Sequence, residues 1–344
     1  MSLTEIALVT GFLLSFLMAI ALGGNDAATP TETAVGARVL TIRQAVVLFA
    51  LFVALGALTQ GFMVMKTVGT GIVPSIDLLG AIVAVLSAFI WIMFCNFYGL
   101  EISVTHSIIG SILGYGIAAY GIGGIQWGLI QTVIISWLTS PLLAAFIAFL
   151  LYKLIAAITA KYAAVTRSLP TLLKLALCYS AYAFGANDIA NATGVYVTVT
   201  KMILGFPPEY NIMLLLAAFG SLGIALGGFL LGPRVIETVA FKITRLNPVT
   251  GASAEVANAL VVHLFTIVPY MILGYGMPIS TSLASVGALI GVGLASYGSS
   301  GINRRTVTVL SLSWVATVFV TAFIAYVAYS ILFPFTGSII KPAP

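Results

Sequence analysis

Twelve apolar runs follow one another along the chain, near residues 6–22, 27–40, 44–64, 78–98, 102–119 and 127–151, and again near 175–186, 189–204, 211–231, 256–275, 278–296 and 307–334. Most approach or exceed the roughly 20 residues that a helix needs to cross a hydrocarbon core, and they outrun the roughly 10 residues of an alternating barrel strand. A soluble domain is excluded by charge. Lys, Arg, Asp and Glu make up 7% of the 344 residues, whereas soluble chains carry about 25%. The expected fold class is an all-α polytopic membrane protein of about 10–12 membrane segments. The 34 glycines suit close helix packing and broken helices.

The net charge of +5 comes from basic residues placed between apolar runs, where Lys and Arg normally face the cytoplasm. Nucleic acid is therefore not an expected partner. Cys95 and Cys178 lie inside apolar stretches and offer neither a disulfide framework nor a metal-site spacing. The first apolar run is preceded by Glu5 and no basic residue, which fits a retained helix better than a cleaved signal peptide.

The two sets of six runs resemble each other. Gly23-Gly24-Asn25-Asp26-Ala27-Ala28 returns as Gly185-Ala186-Asn187-Asp188-Ile189-Ala190, an offset of 162. Ile102-Ser103-Val104-Thr105, followed by Gly110, Gly114 and Gly116, returns as Ile279-Ser280-Thr281-Ser282, followed by Gly287, Gly291 and Gly293, an offset of 177. Asp77 and Glu255 each head the fourth run of their half. Two ordered matches point to duplication, with a first repeat over 1–151, a basic linker over 152–174 and a second repeat over 175–344. Lys153, Lys161, Arg167 and Lys174 surround Pro170 in that linker.

Secondary transporters are commonly built this way, from inverted repeats whose broken helices meet at a midplane site. Inversion requires an odd number of crossings per half. One run in each six is therefore expected to enter and return, and 102–119 and 278–296 suit a re-entrant hairpin by their glycines and hydroxyls. On that topology Arg38, Arg43, Arg234, Lys242, Arg245 and Lys341 share the N-terminal side. Lys66, Lys153, Lys161, Arg167, Lys174, Lys201, Arg304 and Arg305 take the other, a split of six to eight that favours a cytoplasmic linker and outward termini.

Asp26 and Asp188 sit at the ends of apolar runs, and an ionisable residue at that depth is a functional hypothesis by default. Asn-Asp also competes for backbone hydrogen bonds, so a helix break is expected at each motif. Carboxylate, amide and exposed carbonyl oxygens would then form a hard-cation site; the alternative is a pair of ordinary helix caps. Ser103, Thr105 and Ser107, and their counterparts Ser280, Thr281 and Ser282, supply donors without fixed charge. Near helix N-termini such donors suit an anion; the alternative is interhelical packing. His106 adjoins the first cluster and is read either as a donor or as a packed residue, with Leu283 in its place in the second half. Glu101 and Glu255 either steer cations or pair with a Lys or Arg at a helix end. His263 reads as structural, and Pro30 as a helix start.

At these residues the chain resembles the inorganic phosphate transporter family, the sodium/phosphate symporters and their proton-coupled bacterial relatives. The family signature, Gly-Ala-Asn-Asp-Val-Ala-Asn-Ala once per half, is nearly complete at 185–192 and degenerate at 23–30, where Gly-Gly-Asn-Asp-Ala-Ala-Thr-Pro stands. The resemblance implies cation-coupled symport of inorganic phosphate, with Na⁺ as coupling ion, no organic cofactor and no enzymatic activity. It implies phosphate binding by Ser103, Thr105, Ser280, Thr281, Ser282, Asn25 and Asn187, and Na⁺ binding by Asp26, Asp188, Asn25 and Asn187. Glu255, Thr29, Asn191 and His106 are further candidates. Thr29 stands where the second half has Asn191, which departs from a symmetric role. The expected partners are phosphate, sodium ions and the lipid bilayer, with a homodimer left open, and the expected location is the cell's inner membrane. The alternatives are proton-coupled phosphate transport, a sulfate or metal-phosphate transporter and, from another class, an intramembrane enzyme with two aspartates sharing a proton.

Overall fold

The computed structural model describes residues 3–204, 209–239 and 243–340. Among the described residues the regular structure is helical, without strands. Helix α1 (Leu3–Asp26) runs on into α2 (Ala28–Gly36), because Ala27 keeps right-handed helical angles, φ −59° and ψ −24°. Arg38, with φ +58°, turns the chain, and a capping box between Thr41 and Gln44 starts α3 (Ile42–Gln60). After α4 (Phe62–Thr70), the Asp77 carboxylate caps α5 (Leu78–Phe97) by accepting from the Gly80 N–H at 2.6 Å. A short non-helical turn leads to α6 (Val104–Tyr120), capped by Ser103.

The long helices α7 (Trp127–Lys161) and α8 (Ala163–Thr193) meet at Tyr162, which is extended. Beyond them come α9 (Val197–Ile203), α10 (Glu209–Leu230) and α11 (Gly232–Val239). Asn247 and Thr250 form a second capping box at the start of α12 (Pro248–Leu273), with proline where its missing N–H costs nothing. Residues 274–280 turn the chain into α13 (Thr281–Tyr297), capped by Ser280, and α14 (Arg304–Ile340) follows. Among the described residues eight helical stretches are long and apolar enough to cross a membrane. The outer helices present lipid-facing side chains, such as Leu142 of α7 and Phe319 of α14, 71% and 70% exposed. In a membrane these surfaces meet hydrocarbon.

Three sequence expectations are corrected here. The Asn-Asp motifs do not unwind the chain as expected: the interruption after Asp26 is the single residue Ala27, which keeps helical angles, and α8 continues through Asp188 to Thr193. Side-chain bonds to neighbouring helices occupy the asparagines that were expected to compete for the backbone. Residues 104–120 and 281–297 are each one uninterrupted helix, so neither enters and returns alone. The hairpins are the pairs α5–α6 and α12–α13, turning at 98–103 and 274–280. Finally, the basic linker 152–174 is not a separate connection but the end of α7 and the start of α8, helical on both sides of Tyr162.

Contacts between the halves repeat with fixed offsets. A methyl group at Gly110 or Gly114 of α6 would overlap Val318 or Ala322 of α14, and one at Gly287 or Gly291 of α13 would overlap Pro141 or Ala145 of α7. Adding 177 to Gly110, Gly114, Pro141 and Ala145 gives Gly287, Gly291, Val318 and Ala322. Gly23 and Gly185 are pressed in the same way against Ile224 of α10 and Val53 of α3, while Gly227 and Gly56 meet Ile20 and Tyr182. The same interhelical contacts thus occur twice, with the partners exchanged between the halves. Each half packs its small-residue faces on the other half, so the two interlock.

The helix ends gather at two faces. Arg38, Arg245 and Asn303 line a cavity of about 780 Å³ on one of them, where the Asn303 N–H donates to the Ile243 carbonyl at 3.1 Å. Gly251 sits there among Leu173, Thr33 and Ala37, which brings the α7–α8 junction to the same face. Lys66, Ser75, Lys201 and Glu209 line a second cavity, of about 450 Å³, on the other. Because α1 and α2 make one crossing rather than two, the basic residues redistribute. Arg38, Arg43, Lys153, Lys161, Arg167, Lys174, Arg234, Arg245, Arg304 and Arg305 fall to the first face, against Lys66 and Lys201 at the second, ten to two in place of six to eight. Lys242 and Lys341 lie outside the described residues.

Candidate functional site

The two hairpin tips meet each other at the centre of the fold. Thr105 donates to the Ile279 carbonyl at 2.9 Å, and Ser282 donates to the Ile102 carbonyl at 3.3 Å. These are one contact made twice, since Thr105 and Ser282, like Ile102 and Ile279, are 177 apart. The junction brings the N-terminus of α6 beside that of α13. A helix N-terminus leaves its first N–H groups without intrahelical partners and carries partial positive charge. The Ser103 and Ser280 hydroxyls accept from the N–H groups of His106 and Leu283 at 3.2 and 3.3 Å, which leaves each O–H proton free to donate.

The Asn-Asp motifs fasten these tips to α1 and α8. Asn25 donates to Asn96 Oδ1 at 2.6 Å and to the Leu100 carbonyl at 3.0 Å, and its own oxygen accepts from the Ile102 N–H at 3.0 Å. Asn187 donates to Thr266 Oγ1 at 2.8 Å and to the Met277 carbonyl at 2.9 Å. Leu100 and Met277 again differ by 177. Both asparagine amides therefore hold hairpin tips, but only the Asn187 oxygen is left without a partner.

Around this junction lie five carboxylates, Asp26, Glu32, Glu101, Asp188 and Glu255, none more than 1% exposed. Asp188 Oδ1 accepts from Asn191 at 2.6 Å and faces the Thr105 hydroxyl at 3.2 Å. Thr105 has one proton, and the shorter bond to Ile279 claims it. Thr29 donates to Glu101 at 3.1 Å, Ser285 to Glu32, and Thr33 to Glu255. Asp26 stands close enough to Asp188 and Glu101 for mutual repulsion. Each of the five keeps one oxygen without a hydrogen-bond partner, and among the described residues none pairs with a Lys or Arg.

A buried carboxylate without a cation is strongly disfavoured. Oxygen acceptors lacking donors are what a hard cation requires. Among the described residues no three His, Cys, Asp or Glu side chains group closely enough to hold a metal ion together. A cation here would therefore draw on at most two carboxylates, completed by amide, hydroxyl or carbonyl oxygens.

The remaining candidates divide. Thr281 and Ser282 lie beside Asp188 and Glu101 respectively. Ser107 bonds back to the Ser103 carbonyl within its own helix at 3.1 Å. His106 packs edge-on against Trp137, with ring centroids 3.8 Å apart, and neither ring nitrogen has a partner. His263 bonds to Tyr179 at 2.7 Å and Gln60 at 2.8 Å, away from the cluster. Glu32 is the residue that sequence reasoning missed. The signal was available, since it is an acidic residue inside the apolar run 27–40, six positions after Asp26.

The chain matches the profile of the Phosphate transporter family over residues 22–325. A protein of Pyrococcus horikoshii named "putative phosphate permease" is 32% identical, the alignment spanning 94% of this chain and 97% of that one. Another so named, from Thermococcus kodakarensis, is 33% identical over 94% of this chain and 97% of its own. A solved structure named "The sodium-dependent phosphate transporter" superposes with a TM-score of 0.86 and 29% identity, covering 95% of this chain and 99% of that chain. These are transporters rather than enzymes, and this multi-pass membrane protein belongs to the phosphate transporter family.

Proposed function

We propose that this protein carries inorganic phosphate into the cell together with Na⁺, as a symporter working by alternating access between two inverted repeats, 1–151 and 175–344. The observation that carries the reading is the set of buried carboxylates, without a Lys or Arg partner among the described residues, placed against two opposed helix N-termini. Phosphate holds one to two negative charges near neutral pH, so it cannot enter that environment without positive company. Na⁺ ions held by Asp26, Asp188 and the free Asn187 oxygen would supply it. The helix N-termini and the hydroxyls of Ser103, Thr105, Ser280, Thr281 and Ser282 would hold the anion. Asn25 spends its amide on the hairpin tip and acts here by positioning. Asn191, Thr29 and Glu255 support the cation sites, and His106 lies in reach of the α6 N-terminus.

All these side chains are buried, so access to the site requires the hairpin tips to part from each other on one side at a time. The ten-to-two distribution of basic residues supports a cytoplasmic face carrying the α7–α8 junction, with the start of α1 outside. The likeness to a sodium-dependent phosphate transporter supports Na⁺ as the coupling ion.

Uptake of radiolabelled phosphate by proteoliposomes, challenged with unlabelled phosphate or sulfate, tests the substrate. Competition by phosphate alone is expected. Equal competition by sulfate would replace the reading with a general oxyanion carrier.

A further inference from the structure

The repeats agree at the Asn-Asp motifs but not around them. Applying the offsets of 162 and 177, Glu32 corresponds to Gly194 and Glu101 to Pro278, so these two carboxylates have no counterpart in the second half. They nevertheless stand near each other, close enough to repel. Glu32 is 0% exposed and Glu101 1%. Each has one oxygen fixed by a hydroxyl, Glu32 Oε1 by Ser285 and Glu101 Oε1 by Thr29. Ser285 also lies 3.5 Å from the Thr29 carbonyl, which ties the two acids into one unit. Both Oε2 atoms are buried without any partner.

Hydroxyls that bind one carboxylate oxygen orient the other, as outer-sphere groups do around a metal. We propose that Glu32 and Glu101 together hold one hard, oxygen-seeking cation, additional to those assigned to Asp26 and Asp188. The Thr29 carbonyl, 3.5 Å from the Ser285 hydroxyl, is a neutral oxygen of the same cluster. Both carboxylates come from the first half, with Ser285 of the second half orienting Glu32, and the site does not depend on which ion drives transport.

Equilibrium binding to the purified protein without phosphate tests this, with ²²Na⁺ as one probe and Mg²⁺, followed by calorimetry, as the other. Glu32→Gln, Glu101→Gln, the double variant and Glu101→Pro, which copies the second repeat, are compared with the unmodified chain after gel filtration shows each to be monodisperse. If Glu32→Gln does not fold, Glu101→Gln carries the comparison. One bound cation fewer at saturation is expected in every variant. The double variant should lose no more than either single one, because the ion is shared; the arm in which the loss occurs identifies the cation. An unchanged number in both arms overturns the proposal, as does a double variant that loses two ions. Phosphate uptake that ignores Na⁺ while the additional cation still binds would sink the symport reading and leave this one standing.

Discussion

The two halves of the chain make the same set of contacts and decorate them differently. Both fasten a hairpin tip with an asparagine, press two glycines of the following helix against a long helix of the other half, and close the centre with one hydroxyl-to-carbonyl bond. Yet the first repeat places Thr29, Glu32, Glu101 and His106 where the second has Asn191, Gly194, Pro278 and Leu283. The shared positions build the framework and the paired aspartates. Of the unshared ones, Glu32 and Glu101 add negative charge in the first half alone, so matching contacts surround a candidate site whose two halves differ.

The largest effects should fall on the shared aspartates. Asp26→Asn and Asp188→Asn are each expected to cut phosphate uptake at least about tenfold, the equivalent of ~1.4 kcal/mol in barrier, with membrane expression intact. Initial rates in proteoliposomes provide the check. Near-normal uptake by both variants would remove the aspartates from the mechanism, and a loss in only one would break the functional equivalence of the repeats.

Packing comes next. Gly114→Ala and Gly291→Ala put matching methyl groups against the carbonyls of Ala322 and Ala145, and each should destabilise the fold by about 1–3 kcal/mol, as overpacking does. Gly123→Ala, where a Cβ meets nothing within 4 Å, is the control. Thermal melts in detergent should show two lowered transitions of similar size and an unchanged control. A drop in one alone would mean that the interlocked packing is not equivalent.

Smaller changes are expected at the hydroxyl pair. Thr105→Ala and Ser282→Ala each remove one bond across the junction, worth about 1 kcal/mol, and should raise the half-saturation concentration for phosphate about fivefold. The double change should cost more than either. An unchanged phosphate affinity in all three variants would separate the hairpin tips from the substrate.

Much of the helical architecture was legible in the sequence because membrane helices must satisfy their backbone internally, so apolar run length reveals the elements. The offsets of 162 and 177 were readable from Asn-Asp and Ile-Ser alone, and they led to the residues that meet at the centre. Crossing number was less legible. Asn25-Asp26 reads as a break because its local preference favours one, but Asn25 finds its partners on α5 and in the turn before α6, and local preference cannot foresee a bond 75 residues away. That one error moved Arg38 to the wrong side and hid the basic face. Glu32 was overlooked for a related reason: Thr-Pro-Thr-Glu-Thr reads as a polar helix start until tertiary packing buries all five residues.

Initial phosphate uptake measured against Na⁺ concentration, in proteoliposomes with equal pH on both sides, bears most directly on coupling. A steep dependence on Na⁺ with a Hill coefficient above one is expected, because the proposed site sets two Asn-Asp motifs against a multiply charged anion. Equal rates in Na⁺ and K⁺ buffers, with strong stimulation by an inward proton gradient, would contradict Na⁺ coupling and assign the carboxylates to protons.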